Sequence, residues 1–301
     1  MIIQIYEIQT PEEANRCIDL GVDHIGSVLL SGQDWKQPNI LEVVKLTRQS
    51  RSKSSIIPLF NDFDTLSKIL DYYQPDFIHF CESLVDECGK ETNLTQYIEL
   101  QHTIKERFPD VKIIRSVPIP MSGAGRGFPT LSIAEKLEQA SDFFLTDTWL
   151  GKEPVEGFIG ITGILCDQQI AKELVEWSKI PVILAGGLSP DNVYEALEYI
   201  VPAGVDSCTL TNALDNNGIP VRFQKDFERV EKFVNETRRI KNMTAERIKA
   251  LEQEIEDLKE QLADRELALP AHSIRPHQIM IIEELEDKIE AKENELKRIL
   301  K

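Results

Sequence analysis

The sequence predicts an α/β fold: a (β/α)8 barrel over residues 1–240, followed by an antiparallel coiled-coil helical hairpin over residues 241–301. Three observations carry this. Short apolar, β-branched runs alternate with helical patterns eight times in the first 240 residues, which is the rhythm of parallel βα units. No GxGxxG turn follows the first run, against the rival doubly wound open sheet. After about Ile240 the apolar residues fall at three-four spacing instead.

The elements follow in order. Ile2 to Tyr6 reads as a first strand, and Thr10-Pro11-Glu12-Glu13 opens the first helix. His24 to Leu30 precedes a helix from Pro38, and Ser55 to Phe60 precedes one capped at Asp62 or Asp64. The remaining strands are Phe77–Phe80, Val111–Val117, Phe143–Thr146, Val182–Leu184 and Val205–Cys208, each with a helical pattern after it. Within Ile180 to Asn192, Ser189 is placed to cap a helix that starts at Pro190. Residues 118–129, with Gly123, Gly125 and Gly127, form either a plain loop or a lid carrying Arg126 over the barrel mouth. The hairpin arms run through Leu251, Ile255, Leu258 and Leu262, then Ile282, Leu285, Ile289, Leu296 and Ile299. A proline-bearing turn flanked by His272 and His277 joins them, and each arm can bury its seam on the other.

Composition narrows the function. The net charge is −17, so neither nucleic acid nor an anionic membrane is expected as a partner, because either requires a basic face. No apolar run approaches the ~20 residues that cross a bilayer, and MIIQIYEIQ lacks the basic start of a signal peptide. A cytoplasmic location is the expectation. Five cysteines without CxxC spacing predict free thiols, with no disulfide framework and no zinc site.

In a (β/α)8 barrel, chemistry gathers at the C-terminal ends of the strands. Asp147 ends its strand there, and burial would raise its pKa and make it a general acid near neutral pH; a loop-bracing role is the alternative. Gly186-Gly187 after the seventh strand is either a phosphate-cradling turn or only a tight turn. Thr162 and Gly163 make a second such turn. Arg115, at the end of the fifth strand, joins Arg126 as a candidate substrate-loop cation.

These motifs carry a resemblance. FLTDT ending at Thr148, GITG at 160–163, AGGLSPDNV at 185–193 and GVDSCTLTN at 204–212 resemble, in order and spacing, LLD(S/T), GGTG, AGGL(N/S)P(E/D)NV and GVDVSSGVE of the phosphoribosylanthranilate isomerases of tryptophan biosynthesis. The likeness covers about residues 1–240, leaves the hairpin outside, and implies a TIM barrel. It implies an Amadori rearrangement of a phosphoribosylated aromatic amine, without metal or redox cofactor. Asp147 would be the acid that opens the sugar ring. Backbone N–H groups at Gly186, Gly187 and the 208–210 segment, which includes Thr209 and Leu210, would hold the phosphate.

The departures fall on the reaction centre. The family's basic cysteine, in KICGI, is replaced by Tyr6, with Glu7 where the glycine belongs. QLHGDE has become HFCESL, which points His79 and Cys81 together into the mouth, so Tyr6, His79 and Cys81 are the candidate bases. Trp35 and Lys36 stand where the family has an arginine after strand two, and CTLTN lacks the glycine of SSGVE. Three readings follow: this isomerase, a relative acting on another phosphorylated sugar or aromatic, or a non-catalytic barrel serving as a platform for the hairpin. The hairpin is a candidate surface for a homodimer or a protein partner.

Overall fold

The computed structural model describes residues 1–123, 127–269 and 275–299, with the side chains of 241–245 and 298–299 left undescribed. It divides into two compact units, Met1–Thr237 and Arg238–Lys301.

The first unit is a closed barrel of eight parallel strands in sequence order. They are β1 (Ile2–Ile5), β2 (His24–Leu29), β3 (Lys53–Pro58), β4 (Phe77–Phe80), β5 (Lys112–Pro120), β6 (Phe143–Trp149), β7 (Val182–Leu184) and β8 (Gly204–Ser207). The helices between them are α1 (Pro11–Leu20), α2 (Pro38–Arg48), α3 (Phe63–Tyr73), α4 (Thr95–Arg107), α5 (Thr130–Leu137), α6 (Gln168–Trp177) and α7 (Val193–Tyr199). Local chemistry sets their ends. Thr10 and Glu13 form a reciprocal capping box on α1, Asp62 caps α3, and Asp167 accepts hydrogen bonds from Gln169 N and Ile170 N at the start of α6. Phe77, Ile114, Leu145, Ile183 and Ala185 pack together and fill the barrel, while Leu29, Ile40, Val44, Ile56, Ile69 and Tyr73 seal α2 and α3 to its outside.

Three features differ from the sequence reading. β5 runs on to Pro120 because Val117 to Pro120 keep pairing with Thr146 to Trp149 of β6. The helix after β7 begins at Val193 and not at Pro190. The Ser189 hydroxyl accepts from Asp191 N, while the Asn192 side chain bridges Ser189 N and the Gly187 carbonyl, a turn that precedes the helix. A β-hairpin, β9 (Asn212–Leu214) with β10 (Pro220–Lys225), stands between β8 and the next helix, where a helix alone was expected.

That next helix, α8 (Phe227–Leu267), begins in the first unit and continues into the second. Within the second unit it pairs with α9 (Pro276–Ile299). Arg247 bonds Glu295 at 2.6 Å and Lys292 bonds Glu254 at 2.5 Å, low numbers against high as antiparallel arms require. Leu251, Ile255, Leu285 and Ile289 are buried in the seam. His272 lies outside the described residues. No helix among the described residues is long and apolar enough to cross a membrane, and all five cysteines are free thiols.

Candidate functional site

Two small, adjoining cavities open at the C-terminal ends of the strands. The first, about 40 Å3, is lined by Thr162, Gly163, Gly186, Gly187, Thr209 and Leu210, among others. It therefore brings together all six residues that the sequence marked for phosphate. The glycines are sterically required. Gly186 and Gly187 have φ of 85° and 75°, and a Cβ on Gly187 would stand 2.4 Å from the Ile164–Leu165 backbone. A short 3₁₀ turn, Thr209–Thr211, closes the wall directly after β8.

The second cavity, about 50 Å3, shares Asp147, Ile161, Asp206 and Cys208 with the first and adds Tyr6, Glu7, His79, Cys81 and Arg222. A larger open hollow of about 580 Å3 lies around Gln74–Asp76 and Phe108–Val111, the loops that lead into β4 and β5. That is the N-terminal face, where barrels of this kind do not place chemistry. We therefore assign the candidate site to the smaller cavities.

Asp147 leaves β6 toward the mouth. Its Oδ1 accepts Thr148 N at 3.0 Å, and Gly160 lies so close that a Cβ there would meet Oδ2 at 2.3 Å. The residue keeps partial exposure, yet burial of its carboxyl, then the Asp206 charge, pushes its pKa up to about 8. Asp206, on β8, was not singled out by the sequence. Register places it one side-chain layer deeper than Asp147: Leu145 pairs with Ile183 and Ile183 with Gly204, each carboxylate stands two residues further along its strand, and strand tilt lowers equal register from β6 to β8 by one layer. Burial pushes Asp206 up to about 7, with Gln4 and Lys225 pulling the other way. Its Oδ1 and the Nε2 of Gln4, its register partner on β1, are both buried without a hydrogen-bond partner among the described residues.

Tyr6, His79 and Cys81 all reach the cavity, but the first two are committed to each other. The Tyr6 hydroxyl shares hydrogen bonds with Ser55 Oγ (2.7 Å) and His79 Nδ1 (2.7 Å), and His79 Nε2 shares one with Ser116 Oγ (2.8 Å). Burial lifts Tyr6 well above its ordinary value and depresses His79 to about 3. Cys81 is also lifted well above its ordinary value by burial, with Glu82 and Asp147 adding to the rise. The large Tyr6 ring fits because residue 26 on β2 is glycine; a Cβ there would lie 2.0 Å from Tyr6 Cδ1. The reason for Gly26 is a contact twenty residues away, and nothing local in the sequence signals it.

Glu7 stands in the left-handed region (φ 62°), as the glycine it replaces in the resemblance would. Arg222 Nε and Asn212 Nδ2 each donate to it at 2.8 Å, and Phe223 N at 3.1 Å. Burial alone would raise Glu7, but these bonds hold its pKa below the ordinary value. The β9–β10 hairpin thus fastens itself across the barrel mouth through Glu7. A signal for it was present in Asp215-Asn-Asn-Gly218 followed by alternating Val221, Arg222 and Phe223.

One assignment is corrected. Arg115 does not reach the mouth: its neighbour Ser116 faces the barrel interior, and Arg115 points to the outer layer. There it is fully buried, with NH1 2.6 Å from Glu82 Oε2 and Nε 2.8 Å from Gln101 Oε1. Arg126 lies outside the described residues. No cluster of three or more metal-ligating side chains occurs among the described residues.

Comparison with known proteins finds similarity to phosphoribosylanthranilate isomerases. The model of N-(5'-phosphoribosyl)anthranilate (PRA) isomerase matches residues 102–236. A phosphoribosylanthranilate isomerase of Methanosarcina mazei is 28% identical over 143 residues, 47% of this chain and 57% of the relative. Against that relative and its Methanosarcina acetivorans counterpart, the chain spans little more than half the relative's length. The enzyme of Methanocella arvoryzae is 25% identical over 236 residues, 78% of this chain and 97% of its own. Among solved structures, the enzyme of Thermotoga maritima superposes with a TM-score of 0.57 at 19% identity, over 79% of this chain and 99% of the other, a likeness of fold.

Proposed function

We infer that this chain, a relative of the phosphoribosylanthranilate isomerases, catalyses the Amadori rearrangement of phosphoribosylanthranilate in tryptophan biosynthesis. The observation that carries the reading is the carboxyl of Asp147, pushed up to about 8 beside a glycine-lined cavity suited to a phosphate. A protonated Asp147 donates to the furanose ring oxygen; the C1–O bond breaks onto that oxygen while the amine lone pair forms an iminium at C1. The phosphate sits against the Gly186–Gly187 and Thr209–Leu210 backbone, with Thr162 and Gly163 on the facing side. The ligand spans the two adjoining cavities, and Ile161 is among the residues common to both.

The experiment is conversion of freshly made phosphoribosylanthranilate, followed by loss of its fluorescence and by appearance of the carboxyphenylamino-deoxyribulose phosphate. Conversion supports the reading. Absence of conversion by folded protein overturns it and favours a relative acting on another sugar phosphate.

The second unit we assign to assembly with a second copy or a protein partner in the cytoplasm. Ile279, Met280 and Ile281 of α9 remain exposed and support this. Removing residues 238–301 is expected to lower the mass seen in sedimentation to that of a monomer.

A further inference from the structure

Resting on the isomerase reading above, we propose that Asp206 is the general base that removes the C2 proton, in place of the residue that Tyr6 has replaced. Three observations converge. The first is proximity: Asp147 and Asp206, on alternate strands, both line the wall common to the two cavities, and the Asp206 charge is felt at the Asp147 carboxyl. The ring oxygen that needs a proton and the C2–H that must lose one are separated by a single carbon, so acid and base must stand close together. The second is availability. Asp206 Oδ1 lies buried at the wall common to both cavities without a hydrogen-bond partner among the described residues, beside Gln4 Nε2 of β1, an equally unpaired donor that can hold the carboxylate form.

The third is elimination. Tyr6 and His79 hold each other between Ser55 and Ser116. Glu7 is occupied by Arg222, Asn212 and Phe223 N, and Cys81 is kept protonated by its surroundings. Apart from Asp147, Asp206 is the remaining carboxylate among those lining the two cavities, and its affinity for a proton, close to neutral, suits a base.

The step balances. The C2–H bond breaks, its electron pair becomes the C1=C2 bond, the C1=N π pair moves to the iminium nitrogen and neutralises it, and Asp206 takes the proton. The resulting enol ketonises by gaining a proton at C1 and losing the one on the C2 oxygen.

The test compares wild type, Asp206→Asn and Tyr6→Phe on phosphoribosylanthranilate, with binding of reduced carboxyphenylamino-deoxyribulose phosphate as the control for fold and site. The expected result is a kcat loss of roughly 10²–10⁴-fold in Asp206→Asn with ligand binding retained. Formate is expected to restore part of the turnover in a second variant, Asp206→Ala. Asp206→Asn turning over within tenfold of wild type, or Tyr6→Phe losing as much as Asp206→Asn, overturns the assignment and leaves the isomerase reading intact. An inactive wild type overturns that reading itself, and the assignment with it.

Discussion

Asp147 and Asp206 line one wall of the site from alternate strands of the barrel, and the Asp206 charge raises the cost of ionising Asp147. Two neighbouring buried carboxyls cannot both ionise freely. The pair therefore prefers to hold a proton near neutral pH, which is the form that acid–base chemistry requires.

A stability consequence follows. Both pKa values are raised above the ordinary carboxylate value near 4, so the folded protein binds more protons than the unfolded chain between about pH 4 and 8. The stability this confers is fully present below pH 4 and is lost as pH rises through 7 and 8. Asp147→Asn and Asp206→Asn, each a neutral near-isostere, are expected to gain about 1–3 kcal/mol at pH 8 and little at pH 4. Thermal unfolding of the variants at the two pH values reads this directly.

The same pair sets the pH dependence of turnover. Activity needs Asp147 protonated and Asp206 ionised, which predicts a narrow bell with apparent flanks near 7 and 8 belonging to the coupled pair. A kcat profile flat from pH 6 to 9 would contradict it.

Gly26 and Tyr6 are predicted to be energetically coupled. Gly26→Ala places a methyl inside the Tyr6 ring and should destabilise the fold by about 3 kcal/mol or more, because neither strand can yield. In a Tyr6→Cys background the same change should cost about 1 kcal/mol or less. A double-mutant cycle by urea unfolding measures the difference.

The hairpin over the mouth depends on Glu7. Arg222→Ala leaves a buried carboxylate short of its ion pair and is expected to cost about 2–3 kcal/mol, less than for a fully buried pair because Arg222 is 34% exposed. Glu7 has a depressed pKa, so the stability it contributes is present above about pH 4.5 and is lost as pH falls through the lower folded value. In Arg222→Ala that acid-side loss should begin nearer pH 4.5.

Ile161 has a φ of 63°, an unfavourable backbone for a β-branched residue, at the wall common to both cavities. Ile161→Gly should remove about 1–2 kcal/mol of strain and open space for ligand, giving a higher midpoint in thermal unfolding and faster association of reduced carboxyphenylamino-deoxyribulose phosphate.

Much of this architecture was legible in residue patterns. The capping signals at Thr10 and Asp62 and the β-branched runs located the strands and helices, because those signals are local. The Gly186–Gly187 turn and the 160–163 segment pointed to one cavity for the same reason. What stayed hidden was decided at long range. Strands buried on both faces show no alternation, so the outward turn of Arg115 and the inward turn of Asp206 could not be told apart by pattern. Gly26 is explained only by Tyr6, and Glu7 only by Arg222, some 215 residues away.

The most direct measurement is a single-turnover time course of phosphoribosylanthranilate with excess wild-type protein and with excess Asp147→Asn. Wild type is predicted to consume the substrate, and the variant to bind it but slow the step by at least ~10²-fold. Equal rates in the two proteins would contradict the role of Asp147 and, with it, the site described here.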